Sequence, residues 1–136
     1  MNIKIADYDG DGVGGVIKTE NYFCSILNYL PRLVPDKVNS MEKHDNTDEC
    51  FILLRGKAMI FYSFGIDNPD EINSLTMEKG KIYNIPAGTW HCPVMTEDAK
   101  IILVENSYEG EENSPRKSLT ESQMHRVRAL GLDFAE

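Results

Sequence analysis

The segment IPAGTWHCPV, residues 85–94, decides how the rest of this sequence is interpreted. An apolar, strand-like run leads into a Pro-Ala-Gly tripeptide at 86–88, and His91 follows closely. Proline restricts φ and glycine tolerates positive φ, so the tripeptide predicts a tight turn. A histidine just after such a turn can be a packing residue, a proton carrier or a metal ligand. The choice depends on whether the fold places a second polar cluster opposite His91.

The composition is that of a soluble globular domain. The chain has 136 residues, enough for one domain with a sizeable core, and 41% of them are apolar while 26% are charged. Fourteen basic and 22 acidic residues give a formal net charge of −8, and no basic cluster offsets it. A surface of this sign repels phosphate backbones and anionic lipids, so nucleic acid and membrane partners are not expected. We expect a small-molecule ligand or substrate, or a second copy of the chain.

Neither a membrane span nor a leader is predicted. No apolar run approaches the length that crosses a bilayer. Residues 1–15, MNIKIADYDGDGVGG, lack the apolar core and cleavage pattern of a signal peptide, which predicts a cytoplasmic protein. The cysteines are odd in number and form no C-x-x-C pair, so they are expected to be buried small apolar residues. They are Cys24, Cys50 and Cys92.

Strand patterns dominate the middle of the sequence. Short segments rich in β-branched and aromatic residues are separated by turn formers, which predicts an antiparallel sandwich or barrel. The glycine-rich stretch DGDGVGG at 9–15 lacks the Lys-Ser/Thr of a phosphate-binding loop and predicts a flexible or tightly turning connection. The predicted strands are NYFCSILNYL (21–30), CFILLRG (50–56), KAMIFYSF (57–64), EINSLTM (71–77), KIYNIPAG (81–88) and KIILVEN (100–106).

A short helix is predicted over residues 118–131. Two overlapping capping boxes are followed by apolar residues at helical spacing and then by a terminating glycine. The acidic tract EGEENS precedes the helix and predicts a solvated linker over 107–117. His125 lies on the helix outside its apolar stripe, and we assign it no role. The capping pairs are Ser118 with Glu121 and Thr120 with Gln123.

A second polar cluster precedes the most apolar strand pattern, in MEKHDNTDECFILLRG at 41–56. Glu42 and His44 are two residues apart, so in a strand their side chains share one face. The turn-prone stretch 46–48 can reset the register, which lets Glu49 return to the side of His44. This cluster is therefore the candidate to face the histidine that follows the Pro-Ala-Gly turn.

These two segments resemble the two motifs of the cupin superfamily, in the form found in small single-domain cupins. The first motif closes with a histidine, a glutamate, six further residues and a glycine. The second runs glycine, five residues, Pro-x-Gly, two residues and histidine. The resemblance covers residues 42–95, where the second motif is nearly complete and the first is partial. The matching positions are His44, Glu49 and Gly56 for the first motif and Gly80, Pro86, Gly88 and His91 for the second.

The resemblance implies an all-β fold, an antiparallel double-stranded β-helix (the jelly-roll or cupin barrel), with a short C-terminal helix. It implies a single domain over residues 1–136 whose motif core extends over about 37–106. The two motifs would form facing strand pairs, with their histidines and glutamate directed into the barrel.

The resemblance also implies a divalent transition metal held by His44, Glu49 and His91. The family usually has His-x-His in its first motif, and the first of these positions is Glu42 here. A carboxylate is a competent ligand, so Glu42 either joins the set or turns away. A set richer in carboxylate favours Mn or Fe, with Zn or Ni as the alternatives.

The residue types support a polar site whatever the family. Two imidazoles and one or two carboxylates inside a barrel are costly unless they bind a cation or one another. The main hypothesis is a mononuclear metal enzyme acting on a small polar metabolite, such as an organic acid or a sugar derivative. The open alternatives are a non-catalytic small-molecule binding module, a metal-free isomerase or epimerase with His44 or His91 as base, and a metal-free hydrogen-bonded cluster.

The sequence identifies no catalytic residue outside the ligand set. A homodimer is expected, because small barrels expose sheet edges. The segment NYFCSILNYL at 21–30 is the predicted place for strand pairing across that interface.

Overall fold

Two five-stranded sheets make up the fold. The computed structural model describes residues 2–107 and 114–135, and this part of the chain contains ten β-strands and one α-helix. In chain order they are β1 (Val13–Lys18), β2 (Tyr22–Asn28), β3 (Ser40–Glu42), β4 (Glu49–Arg55), β5 (Ala58–Ser63), β6 (Asn73–Thr76), β7 (Ile82–Ile85), β8 (Trp90–Met95), β9 (Lys100–Asn106), β10 (Arg116–Ser118) and α1 (Glu121–Leu130). The sheets have the strand orders β1-β2-β9-β4-β7 and β10-β3-β8-β5-β6.

The order of the strands shows how the chain is wound. β9 pairs with β2 and β4, while β8 pairs with β3 and β5, and all of these pairs are antiparallel. The chain therefore passes back and forth between the two sheets, which is the winding of a jelly-roll. The predicted all-β antiparallel barrel with a short C-terminal helix is confirmed. Each sequence motif contributes to both sheets: the first motif supplies β3 and β4, the second supplies β7 and β8, and β4 pairs with β7 while β3 pairs with β8.

The inner face of the first sheet is set by alternation along β4 and β9. Phe51 and Leu53 are 2% and 1% exposed, and Ile101 is fully buried. In register, Leu53 pairs with Ile101 across the two strands, so both side chains point into the barrel. Glu49 and Glu105 pair in the same register and continue these inward rows toward one end of the barrel. The apolar core therefore ends in a polar layer.

The helix α1 packs against the outside of the second sheet. Val127 is fully buried, and Gly131, just after the helix, lies against Pro35 and Phe61. Phe61 and its neighbour Ile60 on β5 are both fully buried although their side chains point to opposite faces. The second sheet is therefore covered on both faces, and its open end is left for the polar layer.

The helix is shorter than the sequence predicted at its start. It begins at Glu121 rather than at 118, because Arg116–Ser118 pairs with β3 as β10. Only the second capping box forms: Thr120 Oγ1 accepts a hydrogen bond from the Gln123 backbone N–H at 3.1 Å, and Gln123 Oε1 accepts one from the Thr120 N–H at 2.9 Å. Long-range strand pairing thus takes the residues that would otherwise extend the helix.

The described residues include only the two ends of the predicted linker, 107 and 114–117. Residues 108–113 lie outside the described part of the chain, and the last two positions of the predicted linker, 116 and 117, belong to β10. Gly131 ends the helix as expected, since its backbone N–H donates to the Val127 carbonyl. Within residues 2–107 and 114–135, no helix has the length and apolar content to span a membrane.

The glycine-rich segment contains a strand that its composition did not predict. β1 begins at Val13 and pairs with β2, with a bulge between Gly14 and Ile17. Because β2 also pairs with β9, both of its backbone edges are used within the chain. The proposal that 21–30 pairs across an interface is therefore wrong, and β1 is the edge strand there. The homodimer itself stays a prediction.

Candidate metal centre

Contacts between two turns hold the sequence motifs together. Asp48 Oδ1 accepts a hydrogen bond from the Ala87 backbone N–H at 2.8 Å, and its Oδ2 accepts one from Asn84 Nδ2 at 3.2 Å. The Ala87 N–H, and then the Asn84 amide, hold the pKa of the Asp48 carboxyl below its usual range. The Gly88 N–H donates to the His44 carbonyl at 2.8 Å. The loop that carries His44 is therefore fastened to the Pro-Ala-Gly turn.

Three of the four predicted ligands converge inside the barrel. Glu49 Oε1 lies 3.2 Å from His91 Nε2 and 3.3 Å from His44 Nε2. All three residues are buried, at 6%, 3% and 8% exposure for Glu49, His91 and His44. The two imidazole rings lie with centroids 5.3 Å apart. One carboxylate oxygen thus meets both ring nitrogens at the polar end of the core.

The outer nitrogen of each histidine is also bonded. His91 Nδ1 lies 2.9 Å from the Thr89 carbonyl oxygen, and His44 Nδ1 lies 2.8 Å from Ser114 Oγ. A carbonyl oxygen only accepts, so His91 Nδ1 carries the proton and donates it. In a neutral ring, the lone pair of His91 Nε2 then points at the Glu49 carboxylate. Two electron-rich atoms at this distance need a cation between them, which is either a proton or a metal ion.

The pKa values of Glu49 and His44 show which groups of the cluster carry charge. Burial opposes the charge of Glu49, but hydrogen bonds and positive charge from His44 and His91 outweigh it and lower its pKa to about 2. Burial likewise opposes the charged form of His44, but the hydrogen bond and negative charge of Glu49 raise its pKa above the ordinary value. Glu49 is therefore ionised at neutral pH and attracts a cation.

Besides Glu49, the structure places a second acid, Glu105, among the inward-facing residues, and the sequence did not single it out. Glu105 on β9 pairs in register with Glu49 and is 8% exposed, and Thr47 Oγ1 donates to its Oε2 at 3.4 Å. Burial, and then the negative charge of Glu49, raise the pKa of Glu105 to about 7. One ligand atom from each of His44, Glu49 and Glu105 lies within 4.8 Å of the others.

The sequence contained a signal for Glu105. In the predicted strand KIILVEN, the period of two puts this residue on the same face as Ile101 and Leu103, which are inward-facing apolar positions. A charged residue that continues an apolar row is a candidate for a buried site. Its partner on β4 becomes visible only from the pairing of the strands.

Glu42 lies at the rim of the cluster. It pairs in register with His91, and one ligand atom from each of Glu42, His44 and His91 lies within 4.8 Å of the others. Its Oε2 also accepts a hydrogen bond from Arg116 Nη2 at 3.1 Å, and its side chain is 35% exposed. Glu42 is therefore within reach of the histidines while it is paired with an arginine.

A cavity of about 110 Å³ opens beside the cluster. Glu42, Glu49 and His91 line it, together with Arg32 and Arg116. A larger cavity of about 440 Å³ lies between α1 and the barrel, but it contains none of the predicted ligands. The remaining walls of the smaller cavity are mostly apolar: Val13, Leu27, Leu33, Phe51, Pro93 and Leu103.

The cysteine beside this cavity is not activated. Burial raises the pKa of the Cys92 thiol to about 11, against the lowering effect of the Arg116 and Arg32 charges. The reactive form of a cysteine is the thiolate, so Cys92 stays protonated at neutral pH and serves as a buried apolar residue. Cys24 and Cys50 are half-buried free thiols.

The donor set fits a divalent metal. Imidazole nitrogen and carboxylate oxygen are the common ligands of Mn, Fe, Zn and Ni in proteins. A ligating histidine usually donates its other ring N–H to a carbonyl or similar acceptor, which is the role of Thr89 toward His91. Two groups of side chains could therefore hold a metal, and both include His44. One consists of His44, Glu49 and Glu105, and the other of Glu42, His44 and His91.

Comparisons with known proteins bear on the fold. No protein-family model and no curated protein match the chain. A mutant of the 3,4-ketoisomerase QdtA from Thermoanaerobacterium thermosaccharolyticum, in complex with TDP-4-keto-6-deoxyglucose, superposes on 81% of this chain and 75% of its own, with a TM-score of 0.55 and 14% identity.

Two shorter proteins give similar results. A cupin-2 domain containing protein from Shewanella frigidimarina covers 74% of this chain and 85% of its own, with a TM-score of 0.50 and 22% identity. Protein NMB1881 from Neisseria meningitidis covers 76% of this chain and 89% of its own, with a TM-score of 0.50 and 17% identity. At these identities the likeness is one of fold.

Proposed function

We propose that this chain, which has the fold of a small cupin, binds one divalent transition metal through His44, Glu49 and His91 and transforms a small polar metabolite there. One observation carries the proposal. His91 Nδ1 is committed to the Thr89 carbonyl, and its Nε2 lies 3.2 Å from a buried carboxylate that His44 also approaches. Such a cluster is costly to bury without a cation.

The metal favoured by this set is Mn or Fe, because the set contains one carboxylate ligand, or two with Glu42, and these metals bind carboxylate oxygen well. When bound, it would supply Lewis-acid or dioxygen-dependent chemistry. Glu42 is the candidate for a further ligand, since its carboxylate lies near both histidines.

The remaining residues of the site keep water away from the polar cluster or hold the proposed ligands in place. Phe51 and Leu103 form an apolar wall of the cavity, which limits the access of water to the polar cluster. Glu105 faces Glu49 from the next strand and hydrogen-bonds to its carboxyl group, which orients the proposed ligand. Asp48 fixes the turn that precedes His91.

A second candidate function uses the same residues without a metal. With its Nδ1 proton held by Thr89, His91 can accept a proton at Nε2, and Glu49 would stabilise the imidazolium that forms. This arrangement would support an isomerase or epimerase that moves a proton next to a carbonyl group. The presence or absence of bound metal separates the two candidates, and a binding module without turnover is the outcome if neither reaction occurs.

Metal analysis of the purified chain tests the proposal. The protein should be prepared without chelators or nickel resin, and its metal content measured by mass spectrometry. We expect close to one metal ion per chain, which His91→Ala should remove. His125→Ala is the matched control, because His125 is exposed on α1 and should leave the metal content unchanged.

A thermal-shift measurement supplies a second readout. Ligands that bind only the native state raise its stability, by about 2.7 kcal/mol at a concentration one hundred times the dissociation constant. Mn²⁺ or Fe²⁺ should therefore raise the melting temperature of the parent and of His125→Ala, but not that of His91→Ala. A parent that contains no metal and gains no stability from Mn²⁺, Fe²⁺, Zn²⁺ or Ni²⁺ would rule out the metal-dependent candidate.

A further inference from the structure

We infer that the cavity beside the proposed metal centre recognises the carboxylate group of a small organic acid through Arg32 and Arg116. This inference rests on the proposed function and names the class of its substrate. Both arginines line the same cavity as Glu49 and His91, and no other cationic side chain of the described residues does so. Glu42 and Glu49 line the same cavity, but Arg116 is paired with Glu42 and the proposed metal ion would offset Glu49, which leaves the charge of Arg32 to attract an anion.

The two arginines differ in how they are engaged. Arg116 pairs with Glu42 at 3.1 Å, while Arg32, in the turn after β2, makes no hydrogen bond or ion pair with any residue in 2–107 or 114–135. A guanidinium group presents a planar set of donors that matches the two oxygens of a carboxylate. Among the described residues, Arg32 therefore has no partner to lose when it binds such a group.

Arg116 can exchange its partner. Its side chain is 48% exposed and that of Glu42 is 35% exposed, and pairs of this kind are weak because water screens them. A carboxylate entering the cavity can take the place of Glu42 on Arg116. Glu42 is then released on the side of the histidines, whose ligand atoms lie within 4.8 Å of its own.

The size and lining of the cavity restrict the acid to a short one. Its volume of about 110 Å³ is well below the roughly 300–1,000 Å³ of pockets for drug-sized ligands. Leu27, Leu33 and Leu103 offer contact to a few carbon atoms but no hydrogen bonds. A three- or four-carbon acid fits this description, whereas a nucleotide-linked sugar does not.

The test compares a charged probe with its neutral analogue. Pyruvate and pyruvamide differ in the carboxylate but share their carbon skeleton, and their binding to the full chain can be measured by calorimetry or ligand-observed NMR in chloride-free buffer. Metal content is measured on the same samples, and the titrations are repeated after chelator treatment. We expect pyruvate to bind at least about tenfold more tightly than pyruvamide, because hydrogen bonds to charged groups are strong.

Three variants test which residues recognise the carboxylate. Arg32→Gln and Arg116→Gln should each weaken pyruvate binding by about tenfold or more and leave pyruvamide unaffected. Glu42→Gln removes the competitor on Arg116 and should strengthen pyruvate binding by about two- to fivefold. Arg55→Gln is the control, because Arg55 is exposed, lies outside this cavity and donates to the Asp98 carbonyl at 3.0 Å.

The outcomes separate this inference from the proposed function. A metal-containing parent that binds pyruvate and pyruvamide equally, or binds neither at millimolar concentration, would overturn the carboxylate assignment and leave the metal centre standing. Carboxylate preference that survives in both arginine variants would also overturn it. A parent that contains no metal but prefers pyruvate, and loses that preference in Arg32→Gln, would refute the metal and support the anion site.

Discussion

Replacing Gly56 by alanine tests how the first motif is fitted into the barrel. Gly56 follows β4, the strand that carries Glu49, and has a φ of +76°. A Cβ atom at this position would lie 2.6 Å from Ala99 Cα and 2.8 Å from Ala99 N, distances at which the backbone must move. Gly80, the first residue of the second motif, has nearly the same φ of +80° and would have no atom within 4 Å of its Cβ.

Comparing alanine substitutions at Gly56 and Gly80 separates the cost of the backbone conformation from the cost of the steric contact. A left-handed conformation costs a residue with a side chain about 1–2 kcal/mol, and this term is common to both sites. The gain from a stiffer unfolded chain, about 0.4–1 kcal/mol, is also common to both. Forcing a methyl group against packed backbone adds about 1–3 kcal/mol at Gly56 alone. We therefore expect Gly56→Ala to lower the free energy of unfolding by about 1–3 kcal/mol more than Gly80→Ala does.

Urea unfolding of the parent and both variants measures this difference. The slope of free energy against urea should stay constant, so that the shift in midpoint reports stability alone. Gly88→Ala provides a second reference, because Gly88 has a φ of +83° and an alanine methyl group there would have no atom within 4 Å. Equal losses at all three glycines, within about 0.5 kcal/mol, would show that the approach of Ala99 to Gly56 has no energetic consequence.

Other perturbations test the site and the helix. Glu49→Gln should abolish metal retention as measured by mass spectrometry, because it removes the anion that both histidines meet at 3.2 and 3.3 Å; full retention would contradict the ligand role. Glu105 has a pKa raised to about 7, so its contribution to stability is present below the unfolded value and is lost as the pH rises through 7. In metal-free protein, Glu105→Gln should therefore raise the stability by about 1–3 kcal/mol at pH 8 and have little effect at pH 4, and a pH-independent change in urea midpoint would refute this. Thr120→Ala should cost about 1 kcal/mol by the same unfolding assay, and Ser118→Ala much less, since only Thr120 caps the helix; equal losses would contradict the assignment.

Features that depend on neighbouring residues were predictable from the sequence. The period of two in KIILVEN at 100–106 and the capping box at Thr120 both act over a few residues, and each produced the element expected of it. The Pro-Ala-Gly turn is another local feature, because restricted φ at Pro86 and positive φ at Gly88 specify the reversal of the chain. The strand patterns predicted an antiparallel sandwich or barrel, and the resemblance of the two motifs to the cupin superfamily implied the jelly-roll form.

Four strands, β1, β3, β8 and β10, lie outside the six predicted strand segments, and for two of them, β1 and β10, the pairing partner explains why they form. β1 contains two glycines and has little intrinsic strand propensity, but β2 supplies its hydrogen bonds. β10 lies next to a helix start, yet its pairing with β3 takes those residues into the second sheet. Pairing with another strand overrides local preference in both places, between consecutive strands for β1 and between distant ones for β10.

By itself, the sequence determined which residues are available to the site. The resemblance to the cupin superfamily implied that His44, Glu49 and His91 would meet inside the barrel, with Glu42 either joining them or turning away. The structure places all four around one end of the barrel, with His44 in the loop between β3 and β4. Their role as metal ligands stays a prediction.

Only the tertiary structure decided how these groups are charged and partnered. Glu105 becomes an acid with a pKa of about 7 because the fold buries it and strand register sets it opposite Glu49, and Glu42 meets Arg116 across 74 positions of the chain. Local patterns in a sequence specify the face on which a side chain lies, since alternation is a property of the strand. The electrostatic environment of that side chain depends on distances between groups remote in sequence, and only folding sets those distances.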